Sequence, residues 1–192
     1  MRTDRIKLLK ELGVRDSKGL SAKHREALYP EISKAAERVC WVSIAPEEID
    51  DVVTHGKRLR KLNYLEAVYF AKVIDRIGAP KVTVDASDVI PRRFGKDIES
   101  NLGTKCRVIS RHKADRDFPI VSAASIVAKV QRDRQVEELK QIHGDFGSGY
   151  PSDPVTRSFF ADWMRRGKPL PHYVRKSWKT FVNIERSLMV AL

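Results

Sequence analysis

The apolar residues of this chain switch between a helical and a strand-like spacing, and the switches predict its elements. In "DRIKLLKELG" the leucines recur at helical spacing up to Gly13, and after the loop "VRDSKGL" a second helix opens with Ser21 as N-cap. Pro30 is expected to break or kink that second helix. The apolar run "VCWVSIA" at 39–45 reads as a buried strand, and Pro46 suits the first turn of a short helix. Over "RLRKLNYLEAVYFAKVIDRIG" the spacing puts Leu59, Leu62, Leu65, Tyr69 and Val73 on one helical face before Gly78. "KVTVDAS" (81–87) is then a strand, "RRFGKDIESNLG" a helix and "TKCRVISRH" (104–112) another strand. From Ser122 a helix is expected to run to about His143; "SGYPSDP" is a loop, Asp153 and Pro154 form an N-cap and first-position pair, and helices fill the rest. Strands alternating with helices, without repeats or Gly/Ser linkers, predict an α/β layer fold over 1–192 as one domain, with 145–192 a helical C-terminal extension.

Composition narrows the picture. The 192 residues are 42% hydrophobic and 32% charged, and no run approaches the ~20 uninterrupted apolar residues of a membrane span. The start "MRTDRIKLLKEL" has no apolar signal region, so a cytoplasmic location is expected. Cys40 and Cys106 stand far apart outside any C-x-x-C and read as buried reduced thiols, and the five histidines make no metal-spaced pair. Lys and Arg outnumber Asp and Glu by 37 to 25, a formal charge of +12. That excess suits a phosphate-rich partner, nucleic acid first, although charge of this sign also serves solubility alone.

Two acids stand out against this background. In open α/β sheets the working crevice lies at the carboxyl ends of the strands. Asp85 closes the run "VTV", and Asp115 follows "CRVIS" by a short basic turn, so adjacent strands would bring both carboxylates to one edge. Mg²⁺ is commonly held by one or two protein carboxylates, water and the substrate's phosphate oxygens. Taken singly, each acid has a plainer reading: Asp85 capping a turn with Asp88, and Asp115 paired with Lys113 or Arg116 at the surface.

The combination resembles the type 2 ribonucleases H, the ribonuclease HII family, particularly its archaeal members. The similarity is carried by "DSKGL" (16–20), "LNYLE" (62–66), "VDASDV" (84–89), "HKAD" (112–115), "FPIVSAASIVAKVQRD" (118–133), "GSGYPSDP" (147–154) and "VRKSWKT" (174–180), in family order over nearly the whole chain. The resemblance implies a ribonuclease H-like mixed sheet flanked by helices. It implies cleavage of RNA paired to DNA, and of a lone ribonucleotide in duplex DNA on its 5′ side, by a two-metal mechanism with Mg²⁺ or Mn²⁺. By the same resemblance Asp85 and Asp115 are metal ligands, Asp115 nearer the attacking water. Ser122 would then open a helix whose free N–H groups favour an anion nearby. Tyr150 is similar to the tyrosine that stacks at the RNA-to-DNA junction and helps sense the 2′-hydroxyl. Lys18 would contact a phosphate, with Lys113 and Lys129 as further candidates; Gly19 stands where the family often has lysine. Ser122 and Ser125 read as caps and small packing residues.

One departure is plain. The family begins with a strand bearing "DEAGRG"-like residues and a second apolar strand, which supply an Asp, a Glu and a turn that reads the 2′-hydroxyl; these 192 residues contain neither. The expectation is that the sequence starts at an internal methionine, leaving strand edges unpaired. A monomer is expected of the complete protein. The C-terminal "ERSLMVAL" carries no Gln-led motif ending in paired aromatics, so no sliding-clamp docking is expected through this tail. A non-catalytic nucleic-acid binder is the alternative reading.

Overall fold

The computed structural model describes residues 3–14, 19–56 and 61–190. Its elements run α1 (Thr3–Glu11), α2 (Ala22–Ala35), α3 (Pro46–His55), α4 (Lys61–Ile77), β1 (Lys81–Asp85), α5 (Pro91–Glu99), β2 (Arg107–Arg111), α6 (Ala114–Asp117), α7 (Pro119–His143), α8 (Pro154–Arg165) and α9 (Lys179–Val190). They form two compact units, Met1–Ser43 with Asn63–Asp133 and Ile44–Leu62 with Arg134–Leu192.

In the first unit β1 and β2 pair in parallel, from Lys81 opposite Arg107 to Asp85 opposite Arg111. Parallel strands cannot be joined by a hairpin, and α5 makes the crossover between them. One core joins this sheet to its helices: Ala67, Ala71 and Ile74 of α4, Val84 of β1, and Phe94 and Ile98 of α5. The buried face of α4 is therefore Leu65, Ala67, Ala71 and Ile74. The expected face shares only Leu65 with it; Leu62, Tyr69 and Val73 are half-buried, and Leu59 lies outside the described residues. Alanines leave room for the neighbouring Phe94, Ile98 and Val84, which larger residues on that face would not. Gly95 marks another close approach, since a Cβ there would stand 3.2 Å from the Ser110 Cβ on β2. A second core collects Leu9 of α1, Val14 just after it, Leu28, Ile32 and Ala35 of α2, and Ala123, Ile126, Val127 and Val130 of α7.

Several sequence signals hold. Ser21 caps α2, its hydroxyl accepting from the His24 N–H at 3.2 Å. Pro46 opens α3, and Gly78 follows α4 with φ of 67°. Others are corrected. Helix α2 continues through Pro30, so the proline does not break it. Residues 39–45 are not a strand: they lie outside any helix or strand, with alternate residues exposed and Trp41 at 42%. An apolar run has strand character only where a partner takes its backbone hydrogen bonds, and among the described residues the sheet consists of β1 and β2. Cys40 and Cys106 are free thiols, as expected, but half-buried rather than buried.

The second unit packs Phe146, Phe160, Val174 and Phe181 as its core, with Phe159, Tyr173 and Trp178 around them. Phe160 meets Phe181 edge to face at 5.6 Å, the offset geometry that aromatic quadrupoles favour. No helix among the described residues is long and apolar enough to cross a membrane.

Phe94, fully buried between α4 and the sheet, tests this account of the first unit. Phe94→Ala is expected to lower unfolding free energy in urea by about 3–5 kcal/mol. A loss below about 1 kcal/mol would mean that the core is not organised around it.

Candidate metal centre

Parallel pairing makes β1 and β2 end together, and the segments leaving them meet at that edge. Asp85 is the last residue of β1 and pairs with Arg111, the last of β2; the Ala86 N–H then donates to the Arg111 carbonyl at 2.9 Å. Beyond β2 the chain turns through His112 and Lys113 into the short helix α6. Lys113 adopts φ 55°, the one positive φ outside glycine among the described residues, a conformation a lysine rarely takes. That turn points the Ala114 N–H at Asp85, whose Oδ1 accepts it at 3.1 Å. The two acid-bearing segments are thereby tied together at the edge.

The two carboxylates differ in surroundings. Asp85 is half-buried and accepts that one backbone N–H. Asp115 is 7% exposed. Its carboxylate makes no hydrogen bond or ion pair among the described residues, although Arg111, Lys113 and Arg116 stand beside it in the chain. A carboxylate that no protein group engages leaves its oxygens open to a cation. Among the described residues no three or more His, Cys, Asp or Glu side chains converge on a point. A pair of carboxylates nevertheless fits a hard divalent ion, which takes water and phosphate oxygens for its remaining positions. Asp85 and Asp115 would hold it.

Asp88 plays the capping part that the plainer reading shared with Asp85. Its carboxylate is buried, accepts from the Ile90 N–H at 2.9 Å and from Arg93 Nε at 3.0 Å, and is paired a second time by the Arg93 guanidinium. Asp85 is left free of that duty.

Ser122 does not open the helix as expected. Helix α7 opens earlier, at Pro119, and the N–H groups of Val121 and Ser122 both donate to the Phe118 carbonyl, at 2.9 and 3.1 Å. Ser122 is instead fully buried, with a hydroxyl that finds no partner among the described residues. Lys129 lies further along α7, half-buried and already engaged, and Ser125 likewise. Lys18 falls outside the described residues.

Tyr150 sits in the second unit, on a loop fixed from below. Gly147 and Gly149 take φ of 75° and 71°. Asp153 caps α8 through the Val155 N–H at 3.0 Å and also accepts the Ser148 N–H at 2.6 Å. Thr156 bridges the same turn, donating to the Phe146 carbonyl at 2.8 Å and accepting from the Gly149 N–H at 3.0 Å. Tyr150 itself remains 46% exposed. In the same unit Asp50 of α3 accepts the N–H groups of Lys176 and Ser177, at 2.7 and 2.9 Å, which fixes the "VRKSWKT" turn. Neither Asp50 nor Asp153 was singled out as a partner of these loops from sequence.

The fold is of the ribonuclease H-like α/β class. A solved ribonuclease H2 from Pyrococcus horikoshii OT3 superposes with a TM-score of 0.86 at 39% identity, covering 98% of this chain and 88% of that one. The PCNA:RNase HII complex from Archaeoglobus fulgidus contains a chain with a TM-score of 0.78 at 40% identity, covering 93% of this chain and 83% of that one. The ribonuclease HII of Pyrococcus abyssi is 41% identical over 184 residues, 95% of this chain and 80% of that protein. The family model for ribonuclease HII matches residues 1–181, and the chain belongs to that family.

The frame beneath Tyr150 titrates in a defined way. The Ser148 N–H, first among its donors, holds the Asp153 carboxyl at about 2, below its ordinary 3.8. A depressed carboxyl stabilises the folded loop above the unfolded value, and that contribution fades as pH falls through the folded value. The Ser148 and Val155 amide resonances are therefore expected to stay unchanged down to pH ~3 and to shift with a midpoint near 2. A midpoint close to 3.8 would refute the capping arrangement.

Proposed function

We propose that this protein is an endoribonuclease that hydrolyses RNA in RNA/DNA hybrids and at single ribonucleotides in duplex DNA, on the 5′ side of the ribonucleotide, leaving a 3′-hydroxyl and a 5′-phosphate. The observation that carries the reading is the 3.1 Å hydrogen bond from Ala114 to Asp85. It ties the β1 carboxylate to the segment bearing Asp115, whose carboxylate no described protein group engages. Bound Mg²⁺ or Mn²⁺, two ions in the mechanism the family resemblance implies, would lower the pKa of a water molecule on one side of the scissile phosphate and stabilise the leaving oxygen on the other.

The chain's own groups do the rest. Asp85 and Asp115 would be metal ligands, Asp115 the one nearer the attacking water. Lys113 and Lys18 neutralise phosphate charge, with Lys129 a further phosphate contact. Tyr150 stacks on the sugar at the RNA-to-DNA junction, where an exposed ring on a pinned loop can report a 2′-hydroxyl. The resemblance adds an Asp and a Glu on a DEAGRG-like strand that these residues do not include. The archaeal-type motifs, a single catalytic domain with 145–192 as its extension, a monomeric state and a cytoplasmic location belong to the same proposal.

Cleavage of a labelled DNA duplex bearing one ribonucleotide, with Mg²⁺ or Mn²⁺, tests it. The assay is run with this chain and with one carrying the acidic strand upstream. Asp85→Asn is expected to abolish cutting in whichever chain is active. Substantial residual turnover would remove Asp85 from the site, and binding without any cleavage by either chain would favour the non-catalytic reading. Tyr150→Ala is expected to weaken selection at the junction more than affinity for plain duplex DNA; equal losses on both would refute its role.

A further inference from the structure

We propose that Val89 and Ile90, at the tip of the loop after β1, form an apolar contact that rests on the sugar face of a bound nucleic-acid duplex beside the Asp85–Asp115 edge. This rests on the nuclease reading above and adds to it a substrate contact that is neither charged nor metal-linked. Val89 is 82% exposed and Ile90 48%. Branched aliphatics are usually buried, and two adjacent ones held in solvent call for a reason.

The loop that carries them is built rather than slack. Asp88, immediately before, is buried and accepts from the Ile90 N–H and Arg93 Nε, so the backbone on both sides of Val89 is fixed. On its other side the Val89 carbonyl meets His112 Nε2 at 3.2 Å, which requires that nitrogen to carry the proton. His112 leads through Lys113 to Ala114, whose N–H bonds Asp85. Val89 is thus tied by one side to the Asp85 segment and by the other to the Asp115 segment. A buried carboxylate is a costly way to hold a loop, and what it holds out is an aliphatic pair.

The surroundings select the occupant. Arg92, Arg111, His112 and Lys113 are all exposed near this tip in sequence or through these bonds. A protein partner would meet two aliphatic side chains among cations, a poor apolar patch. A duplex offers phosphates to the cations and, between them, the C–H faces of its sugars to Val89 and Ile90, the kind of apolar contact that minor-groove proteins make.

The test is anisotropy titration of a labelled RNA/DNA hybrid, without divalent ions, at low and moderate salt. Wild type, Val89→Asn, a Val89→Asn/Ile90→Asn double variant and Lys113→Ala are compared. Because both tip side chains are exposed, the variants should melt like wild type by circular dichroism. The asparagine variants are expected to bind roughly three- to tenfold more weakly at both salt concentrations, with an unchanged salt slope. Lys113→Ala is expected to reduce that slope by about one. Wild-type affinity in the double variant, or a loss confined to low salt, would overturn the contact. Failure of the wild-type chain to bind the hybrid at all would overturn the nuclease reading and this inference with it.

Discussion

Parallel pairing of Lys81–Asp85 with Arg107–Arg111 is the constraint on which the candidate site depends. Two antiparallel strands would have placed the ends of β1 and β2 at opposite edges. Because these strands run together, Asp85 and the turn leading to Asp115 emerge side by side, and one backbone N–H suffices to join them. The crossover helix that parallel pairing demands brings its own core residues, Phe94 and Ile98, against α4. The core and the site therefore follow from the same topological requirement, and a change that disturbed the pairing would disturb both.

Local capping chemistry made much of the fold legible. Ser21, Pro46, Gly78 and the Asp153–Pro154 pair all stand at the helix ends that their residue types favour, because a cap is decided within a few residues. Residues 39–45 were misread for the opposite reason: apolar composition gives a run strand character, but a ladder needs a partner that composition does not reveal. The face of α4 was misread because Ala67 and Ala71 matter for what they leave room for. The start of α7 was placed late because the fixed φ of Pro119 suits the first turn of a helix as well as the end of a loop.

The candidate acids were legible because a carboxylate closing an apolar run is conspicuous. Their surroundings were not. Asp88 freeing Asp85 from turn duty, Asp50 reaching the Lys176 and Ser177 amides, and Lys113 turning through a left-handed conformation all depend on where the chain returns in space. Family likeness narrowed the chemistry to ribonuclease HII, while the bonds between Asp85, Ala114 and the flanking turns show how this chain holds its own residues in place.

The central claim is that Asp85 and Asp115 are both ligands of divalent metal. Mn²⁺ binding followed by electron paramagnetic resonance, on the chain bearing all 192 residues and on its Asp85→Asn and Asp115→Asn variants, tests it most directly. The account predicts that wild type binds the ion and that either substitution weakens binding by at least about tenfold. Equal affinity in wild type and both variants would contradict it.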